Sequence, residues 1–175
     1  YRQVAVERGR KGTFKGGRLA ARDTLRELGL DTTGLRLMDG SGLSRDDRLT
    51  PRLLTGLLAE GLDTEAHPEF ESFLDALPVG GRTGTLSAST GRFTTSPSKC
   101  AAGQVFAKTG TLFDTIGLSG YTKGADAELK IFSALVNDRP QSYSPLSTRQ
   151  AVDGIVATIN GCWGPTKKTG QPPAG

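Results

Sequence analysis

Lys108, Thr109 and Gly110 form a Lys-Thr-Gly triplet between two short apolar segments, residues 105–107 and 116–118. Two β-forming segments with a short connection predict a hairpin, which places the triplet on a strand. A lysine there is a fixed positive charge, a threonine hydroxyl can hold a carboxylate, and glycine leaves room for another backbone. The pattern therefore predicts a wall that binds an extended peptide.

The triplet alone is a weak signal, because the chain contains a second copy at Lys168, Thr169 and Gly170. That copy lies in a Pro/Gly-rich tail, residues 164–175, which shows no strand pattern and is predicted to be disordered. We expect only the first copy to function.

Other residues could in principle supply a nucleophile or a base. Ser96 and Lys99 have Ser-x-x-Lys spacing, but their segment lacks the apolar face that would bury a helix, so the lysine would stay protonated. Ser41 and Ser44 have no lysine at that spacing. His67, the only histidine, could formally join a Ser-His-Asp triad, but its position before Pro68 favours a helix-entry role.

Ligand loops and metal sites are also disfavoured. Residues 80–85 (GGRTGT) resemble a phosphate loop but lack the GxxxxGK[ST] pattern and a preceding strand, so a structural turn is favoured. One histidine and two cysteines without ligand spacing do not predict a zinc site. No metal and no cofactor are expected.

The composition describes a globular chain of 175 residues with 35% hydrophobic residues and 24 glycines. The net charge is +4, but the basic residues are scattered among 18 acidic ones and form no basic stripe, so nucleic-acid binding is not expected. No run approaches the roughly 20 apolar residues of a membrane span. The chain starts at Tyr1 within a helix-like pattern, and we interpret it as a fragment of a longer protein.

The predicted elements are helices and consecutive antiparallel strands, an α+β fold with helices flanking the sheet. Helices are expected at residues 1–8, 15–28, from 51 to about 58, 68–77 and 147–160, with Thr50 capping the third and Ser147 the last. Phe14, Leu19, Leu25 and Leu28 define the second helix. The last helix is expected to bury one apolar face, which consists of Ala151, Val152, Ile155, Val156 and Ile159. The hairpin is followed by a strand at residues 128–136.

Three blocks in order resemble penicillin-recognising serine enzymes: DGSGLSRDDRLTPRLL (39–54), LPVGGRTGTL (77–86) and AKTGTLFDTIGLSGY (107–121), followed by ELKIFSALVND. Within that superfamily the chain is similar to the D-alanyl-D-alanine carboxypeptidase/endopeptidase family, the DacB-like class C low-molecular-mass penicillin-binding proteins, and an actinobacterial origin is expected. The resemblance implies that residues 1–163 are the C-terminal part of a penicillin-binding domain with the transpeptidase fold.

The resemblance also implies site residues and partners. Lys108 would supply positive potential, Thr109 and Thr111 would hold the terminal carboxylate of a peptidoglycan stem peptide, and Gly110 would allow its approach. The Thr111 N–H would be one of two oxyanion donors. The nucleophilic Ser-x-x-Lys and the Ser-x-Asn motif would lie upstream, in an N-terminal part of the same protein. This chain alone would then be inactive, and β-lactams would inhibit the complete enzyme covalently.

The resemblance implies an extracytoplasmic location. Because two cysteines in an exported protein most simply pair, a Cys100–Cys162 disulfide is expected. The alternative is two reduced, buried thiols. Where the chain has Asp47, relatives usually have asparagine, and where it has Thr83 they usually have aspartate. These departures leave a second interpretation open, a catalytically inactive peptidoglycan- or protein-binding module on the same fold.

Overall fold

The computed structural model describes residues 1–124 and 126–163. The tail with the second Lys-Thr-Gly triplet, and its expected disorder, therefore lie outside the described residues. The α-helices are α1 (Arg2–Glu7), α2 (Phe14–Glu27), α3 (Pro51–Leu62), α4 (Glu71–Asp75) and α5 (Pro145–Asn160), and the strands are β1 (Val105–Thr111), β2 (Ile116–Lys123) and β3 (Leu129–Val136). Short 3-10 helices lie at Pro68–Phe70, Gly84–Leu86, Ala88–Thr90 and Ser98–Ala101.

The three strands form one antiparallel sheet in the order β1-β2-β3. Lys108 lies opposite Ser119, and Gly110 lies opposite Gly117, so the Lys-Thr-Gly triplet is on the first strand of a hairpin, as predicted. Gly120 is required for this pairing, because an added Cβ would lie 2.0 Å from the Phe106 carbonyl oxygen.

Helices cover both faces of the sheet, which is the predicted α+β arrangement. One face packs on α5 through a buried cluster that includes Val105, Ala107, Leu118, Phe132 and Val156. Helix α3 packs against β2 and β3, and its buried leucines lie outside that cluster, which places α3 on the opposite face. Residues of β1 with odd numbers therefore face α5, and those with even numbers face the α3 side.

Helix α5 begins earlier than predicted, and its buried face is partly the predicted one, since Val152 and Val156 are buried and Ile159 packs against the core. Ser144, not Ser147, is its N-cap, since the Ser144 hydroxyl accepts a hydrogen bond from the Ser147 N–H at 3.0 Å. Ile155 is 54% exposed, and the buried side instead includes Asp153, which forms an ion pair inside the protein. Apolar periodicity identified Val152 and Val156 but not Asp153, because a buried carboxylate interrupts the pattern.

The first two helices pack through small residues. Thr13 caps α2 by accepting from the Gly16 N–H at 3.0 Å. Gly16 and Gly17 are buried, whereas Phe14 is 55% exposed and meets the start of α1 through the Arg2 guanidinium, 5.9 Å from its ring centroid, and the Tyr1 ring. A Cβ at Gly16 would lie 2.1 Å from the Lys11 carbonyl oxygen, which explains the glycine there.

A disulfide joins Cys100, just before β1, to Cys162, just after α5, across a separation of 62 residues. It ties the end of the last helix to the start of the strand that carries Lys108. Among the described residues, no helix is both long enough and apolar enough to cross a membrane.

Candidate functional site

The outer edge of β1 is only partly covered by protein. Segment 78–80 pairs with its first half, because the Gly80 N–H donates to the Val105 carbonyl at 2.8 Å and the Ala107 N–H donates to the Pro78 carbonyl at 3.0 Å. Backbone groups alternate in direction along a strand, so those of Thr109 and Thr111 point to this same edge, beyond the covering segment. The second half of β1 therefore presents backbone donors and acceptors in an extended array.

The side chains of the triplet are arranged around that open edge. Lys108, Gly110 and Thr111 are exposed, and Thr109 is half-buried. The Lys108 ammonium lies at the edge itself, where its Nζ donates to the Thr109 carbonyl oxygen at 2.7 Å. Lys108 lies on the α3 side of the strand and the two threonines on the α5 side, so a ligand along the edge would meet a cation and two hydroxyls.

Gly110 has free space where its side chain would be. An added Cβ would meet only backbone atoms of Gly117, at 3.9 and 4.0 Å, which is ordinary van der Waals contact. The fold itself does not require glycine here, in contrast to Gly120. A side chain here would project from the α3 side of β1, beside Lys108, so glycine leaves that space open to a ligand.

The segment that covers the first half of β1 continues into residues 81–91, and we call residues 78–91 the edge loop. The Thr109 hydroxyl donates to the Thr85 hydroxyl oxygen of this loop at 2.9 Å. The Thr83 hydroxyl accepts from the Val79 N–H at 2.8 Å, so threonine provides a structural acceptor in this turn. The Arg82 and Thr83 N–H groups both donate to the Val79 carbonyl, at 2.9 and 3.0 Å, so residues 79–83 form a hydrogen-bonded turn.

A second loop, residues 39–48, contacts the turn between β1 and β2. The Arg45 guanidinium forms an ion pair with the Asp114 carboxylate at 2.5 Å. This hydrogen bond holds the pKa of the Asp114 carboxyl below its usual value. Arg139 contacts the same turn, because its Nη2 donates to the Phe113 carbonyl at 2.6 Å and its backbone N–H donates to the Asp114 carbonyl at 2.9 Å.

Loop 39–48 is ordered by carboxylates that accept backbone hydrogen bonds. Asp39 accepts from the N–H groups of Ser41, Gly42 and Ser44 at 2.8 to 3.0 Å. Asp47 accepts from the Met38 N–H at 2.5 Å, a role that needs only a side-chain oxygen. Neither departure from the family pattern, at Asp47 or at Thr83, leaves a gap in the hydrogen bonding of the loops.

The other candidates from the sequence lie apart from this site or lack the geometry for catalysis. Ser96 and Lys99 are exposed, and a 3-10 helix at Ser98–Ala101 replaces the α-helix that a serine–lysine pair would need. His67 lies between Glu60 and Glu69, 3.3 and 3.4 Å from their carboxylates, and not beside a serine. Within 1–124 and 126–163, no group of three potential metal ligands occurs.

Four residues that contact β1 or the turn after it were not predicted from the sequence: Thr85, Arg45, Asp114 and Arg139. Thr85 and Arg45 lie inside the blocks that carry the family resemblance, but no local pattern in the sequence indicates a role for either residue. Their partners are 24 and 69 residues away along the chain, a relationship that only the folded structure reveals.

A family model described as the D-Ala-D-Ala carboxypeptidase 3 (S13) family matches residues 1–159. The chain belongs to this family. The carboxypeptidase DacB of Mycolicibacterium smegmatis is 33% identical over 162 residues, which cover 92% of this chain and 33% of that protein. A D-alanyl-D-alanine carboxypeptidase of Actinomadura sp. (strain R39) is 32% identical over 156 residues, covering 86% of this chain and 27% of that protein.

The fold of this S13 family chain matches a solved penicillin-binding protein. The crystal structure of penicillin binding protein 4 (dacB) from Haemophilus influenzae, complexed with a novel β-lactam, aligns with a TM-score of 0.75 and 24% identity. The alignment covers 90% of this chain and 36% of that one. The chain thus spans about a third of the length of the relatives it matches, and the predicted resemblance and fold class are confirmed.

Proposed function

We propose that this chain is the Lys-Thr-Gly-bearing part of a serine-type D-Ala-D-Ala carboxypeptidase/endopeptidase that acts on peptidoglycan stem peptides through an acyl-enzyme. The observation that carries this proposal is the open half-edge of β1, where Thr109 and Thr111 present backbone groups next to the Lys108 ammonium. An extended peptide can add to such an edge by main-chain hydrogen bonds, and a charged group at one end fixes its register.

Each residue of the triplet strand has a role in the proposed site. The Lys108 ammonium supplies positive potential for the substrate's terminal carboxylate and for the proton transfers nearby. The Thr109 and Thr111 hydroxyls hold that carboxylate, and the Thr111 N–H is one of two oxyanion donors, a contact worth about 3 kcal/mol in a transition state. Gly110 gives the substrate backbone the space that its missing Cβ leaves.

The covalent step requires the rest of the protein. An upstream serine, deprotonated by the lysine of its Ser-x-x-Lys motif, attacks the carbonyl carbon of the penultimate D-alanine, with a Ser-x-Asn motif assisting the proton transfers. The peptide C–N bond breaks, the leaving amine takes a proton and departs as D-alanine, and water then hydrolyses the ester. We place residues 1–163 in the C-terminal part of that penicillin-binding domain.

An extracytoplasmic location fits this proposal, since the substrate is cell wall and a disulfide joins Cys100 to Cys162. β-Lactams would acylate the same upstream serine in the complete enzyme. The alternative, a non-enzymatic binding module on this fold, predicts the same peptide-binding edge without an acyl-enzyme.

Denaturing intact-mass spectrometry of the full-length protein after incubation with benzylpenicillin tests the proposal. We expect a single penicilloyl adduct, located by peptide mapping upstream of this chain. Lys108→Ala should slow its formation at least about 100-fold, the order of loss seen when a transition-state contact is removed. Lys99→Ala, which removes an exposed lysine from a literal Ser-x-x-Lys sequence, is the matched control and should leave the rate unchanged.

Three other outcomes would contradict the proposal. An adduct on Ser96 or Ser41 would place the nucleophile in this chain. Full-length protein that binds stem peptide but forms no adduct would be the inactive module. Equal slowing by Lys108→Ala and Lys99→Ala would show that the triplet lysine has no special role.

A further inference from the structure

The edge loop contributes a hydroxyl group to the wall that the triplet strand forms. The Thr109 hydroxyl lies 2.9 Å from the Thr85 hydroxyl, and in the structure Thr109 is the donor. A hydroxyl has one proton to donate, so Thr109 can donate either to Thr85 or to a ligand carboxylate, but not to both. The partner of Thr109 therefore decides where its proton points.

Thr85 is held in place from several directions. Leu86, the next residue, is fully buried in the cluster under α5. The Thr85 carbonyl accepts from the Thr90 hydroxyl at 3.2 Å, and the Gly81 N–H donates to the Leu86 carbonyl at 2.8 Å. Because segment 78–80 is itself paired to β1, the Thr85 hydroxyl has a fixed position relative to Thr109.

Thr85 can also reverse its direction of donation. Among the described residues its hydroxyl accepts from Thr109 and has no acceptor for its own proton. When a ligand carboxylate accepts the hydrogen bond from the Thr109 hydroxyl, the Thr85 hydroxyl can donate to the Thr109 oxygen. The result is a chain of two hydroxyls that ends on the ligand, in which each hydrogen bond polarises and strengthens the next.

We infer that Thr85 is a positioning residue for carboxylate recognition: its hydroxyl orients and polarises Thr109 toward the C-terminal carboxylate of a bound peptide. Thr85 itself does not touch the ligand. The inference rests on the proposed peptide-binding role of the β1 edge, but not on the formation of an acyl-enzyme, since an inactive binding module would use the same two hydroxyls.

The test compares two peptides that end in D-alanyl-D-alanine, one with a free C-terminal carboxylate and one with a C-terminal amide, on the full-length protein. Their recognition is measured as kcat/KM where the protein turns them over, and as Kd by titration calorimetry where it does not. Thr85→Val keeps the shape of the side chain and removes the hydroxyl. It should weaken binding of the free acid about five-fold, the factor expected for one neutral hydrogen bond, and change binding of the amide little.

Two further variants separate positioning from loop stability. Thr85→Ser should restore the preference for the acid, because it restores the hydroxyl. Thr90→Val removes the hydroxyl that donates to the Thr85 and Ser87 carbonyls, so it loosens the same loop without touching Thr109. It should affect acid and amide equally. In a Thr109→Val background, Thr85→Val should have no further effect on the acid, since the hydroxyl it acts through is gone.

The outcomes distinguish this inference from the proposed function. Equal weakening of acid and amide by Thr85→Val, or an unreduced effect in the Thr109→Val background, overturns the positioning role while leaving the enzyme assignment intact. Another result is a preference for the free-acid peptide that depends on Thr85, in a protein that is not acylated by penicillin. That result supports the positioning role and contradicts the proposed enzyme activity. An unmutated protein that does not distinguish acid from amide overturns the inference, whether or not penicillin acylates it.

Discussion

The Arg45 guanidinium and the Asp114 carboxylate, 69 residues apart in sequence, form an ion pair that joins loop 39–48 to the turn directly after the triplet strand. The turn begins at Leu112, one residue beyond Thr111, and its Leu112 N–H donates to the Thr115 carbonyl. An ion pair at this place restrains the end of the strand whose open edge is the proposed peptide site.

The pair makes stability depend on pH in the acid range. The Arg45 hydrogen bond lowers the pKa of Asp114 below its usual value of 3.8, so the folded state holds this proton less tightly than the unfolded chain. The contribution of the ion pair to the free energy of unfolding is complete above the usual Asp pKa. It is lost as the pH falls through the lowered pKa of Asp114 in the folded state. We expect Asp114→Asn to lower Tm slightly at pH 6, and this difference to shrink toward zero below pH 3.8.

Differential scanning calorimetry from pH 2 to pH 6 measures that difference. Raising the salt concentration should reduce it at pH 6, since both side chains are partly exposed and screened by ions. Asp46→Asn removes a carboxylate from the same loop without touching the ion pair, and it is the control. A Tm difference between Asp114→Asn and the unmutated protein that stays constant with pH would contradict the prediction.

Gly110 and Gly120 should respond oppositely to alanine. At Gly110 the new methyl has space, so Tm should stay constant or rise, because alanine relieves the entropy cost of glycine in a strand, up to about 1 kcal/mol. The methyl would project from the α3 side of β1, beside Lys108, and would push a bound substrate out of position there. We expect kcat/KM to fall about 100-fold, the loss that a small misplacement of the reacting group causes.

Gly120→Ala is the matched comparison in the neighbouring strand. Its Cβ would lie 2.0 Å from the Phe106 carbonyl oxygen and 2.6 Å from the Ala107 Cβ, so the β1–β2 pairing must shift and Tm must fall. Thermal melts and turnover of both variants check the pair of predictions. A Gly110→Ala protein with unchanged activity would show that no ligand backbone passes over this residue.

Local signals in the sequence predicted the hairpin and the capped helix α3 well. The β1 and β2 segments are apolar on both sides of a polar turn, and Thr50 followed by Pro51 marks a helix start that the structure confirms with a 3.1 Å hydrogen bond to the Leu53 N–H. Each of these features depends on residues within a few positions of one another. Such features need no knowledge of the tertiary fold.

Apart from the N-cap of α5, which is Ser144 and not Ser147, the main features that the sequence did not predict depend on distant contacts. The Thr85 hydroxyl matters because it meets Thr109, and Arg45 matters because it meets Asp114. The buried face of α5 includes Asp153, which no hydrophobic pattern would place inside, because its partner Arg92 comes from 61 residues earlier. A charged residue is buried only when a counter-charge is supplied, and sequence periodicity contains no information about that partner.

The Arg92–Asp153 pair should be among the most sensitive sites in the described part of the chain. The two side chains are 2% and 0% exposed, and the guanidinium contacts both carboxylate oxygens, at 2.9 Å from Nε and 2.5 Å from Nη2. Asp153→Asn would leave a buried guanidinium without its counter-charge. We expect a loss of about 3–5 kcal/mol, the range for breaking a buried pair.

Removing both charges should cost less than removing one. The double variant Arg92→Met, Asp153→Leu replaces the pair by apolar groups of similar size, and it should recover most of the Tm lost by Asp153→Asn. Asp126→Asn, which breaks the exposed pair with Lys130, should change Tm little. A double variant less stable than Asp153→Asn would mean that the hydrogen bond from the Phe93 N–H to Asp153, at 3.3 Å, matters more than the charge.

The Cys100–Cys162 disulfide should stabilise the protein without shaping the proposed site. It closes a segment of 62 residues, for which the loss of chain entropy in the unfolded state predicts about 4 kcal/mol. Cys100 precedes β1, whereas Lys108 to Thr111 lie at its other end, next to the Arg45 and Arg139 contacts. Reduction should therefore lower Tm by several degrees while the rate of penicillin acylation at 20 °C stays within about two-fold.

The double variant Cys100→Ala, Cys162→Ala provides the matching control, since it should melt where the reduced protein melts and should not respond to dithiothreitol. Single variants would leave a free thiol and could form dimers, so they are less informative. Acylation that stops on reduction, at a temperature where circular dichroism shows the protein still folded, would mean that the disulfide positions the β1 edge. In that case the edge loop and the two arginines alone do not hold Thr109 and Thr111 in place.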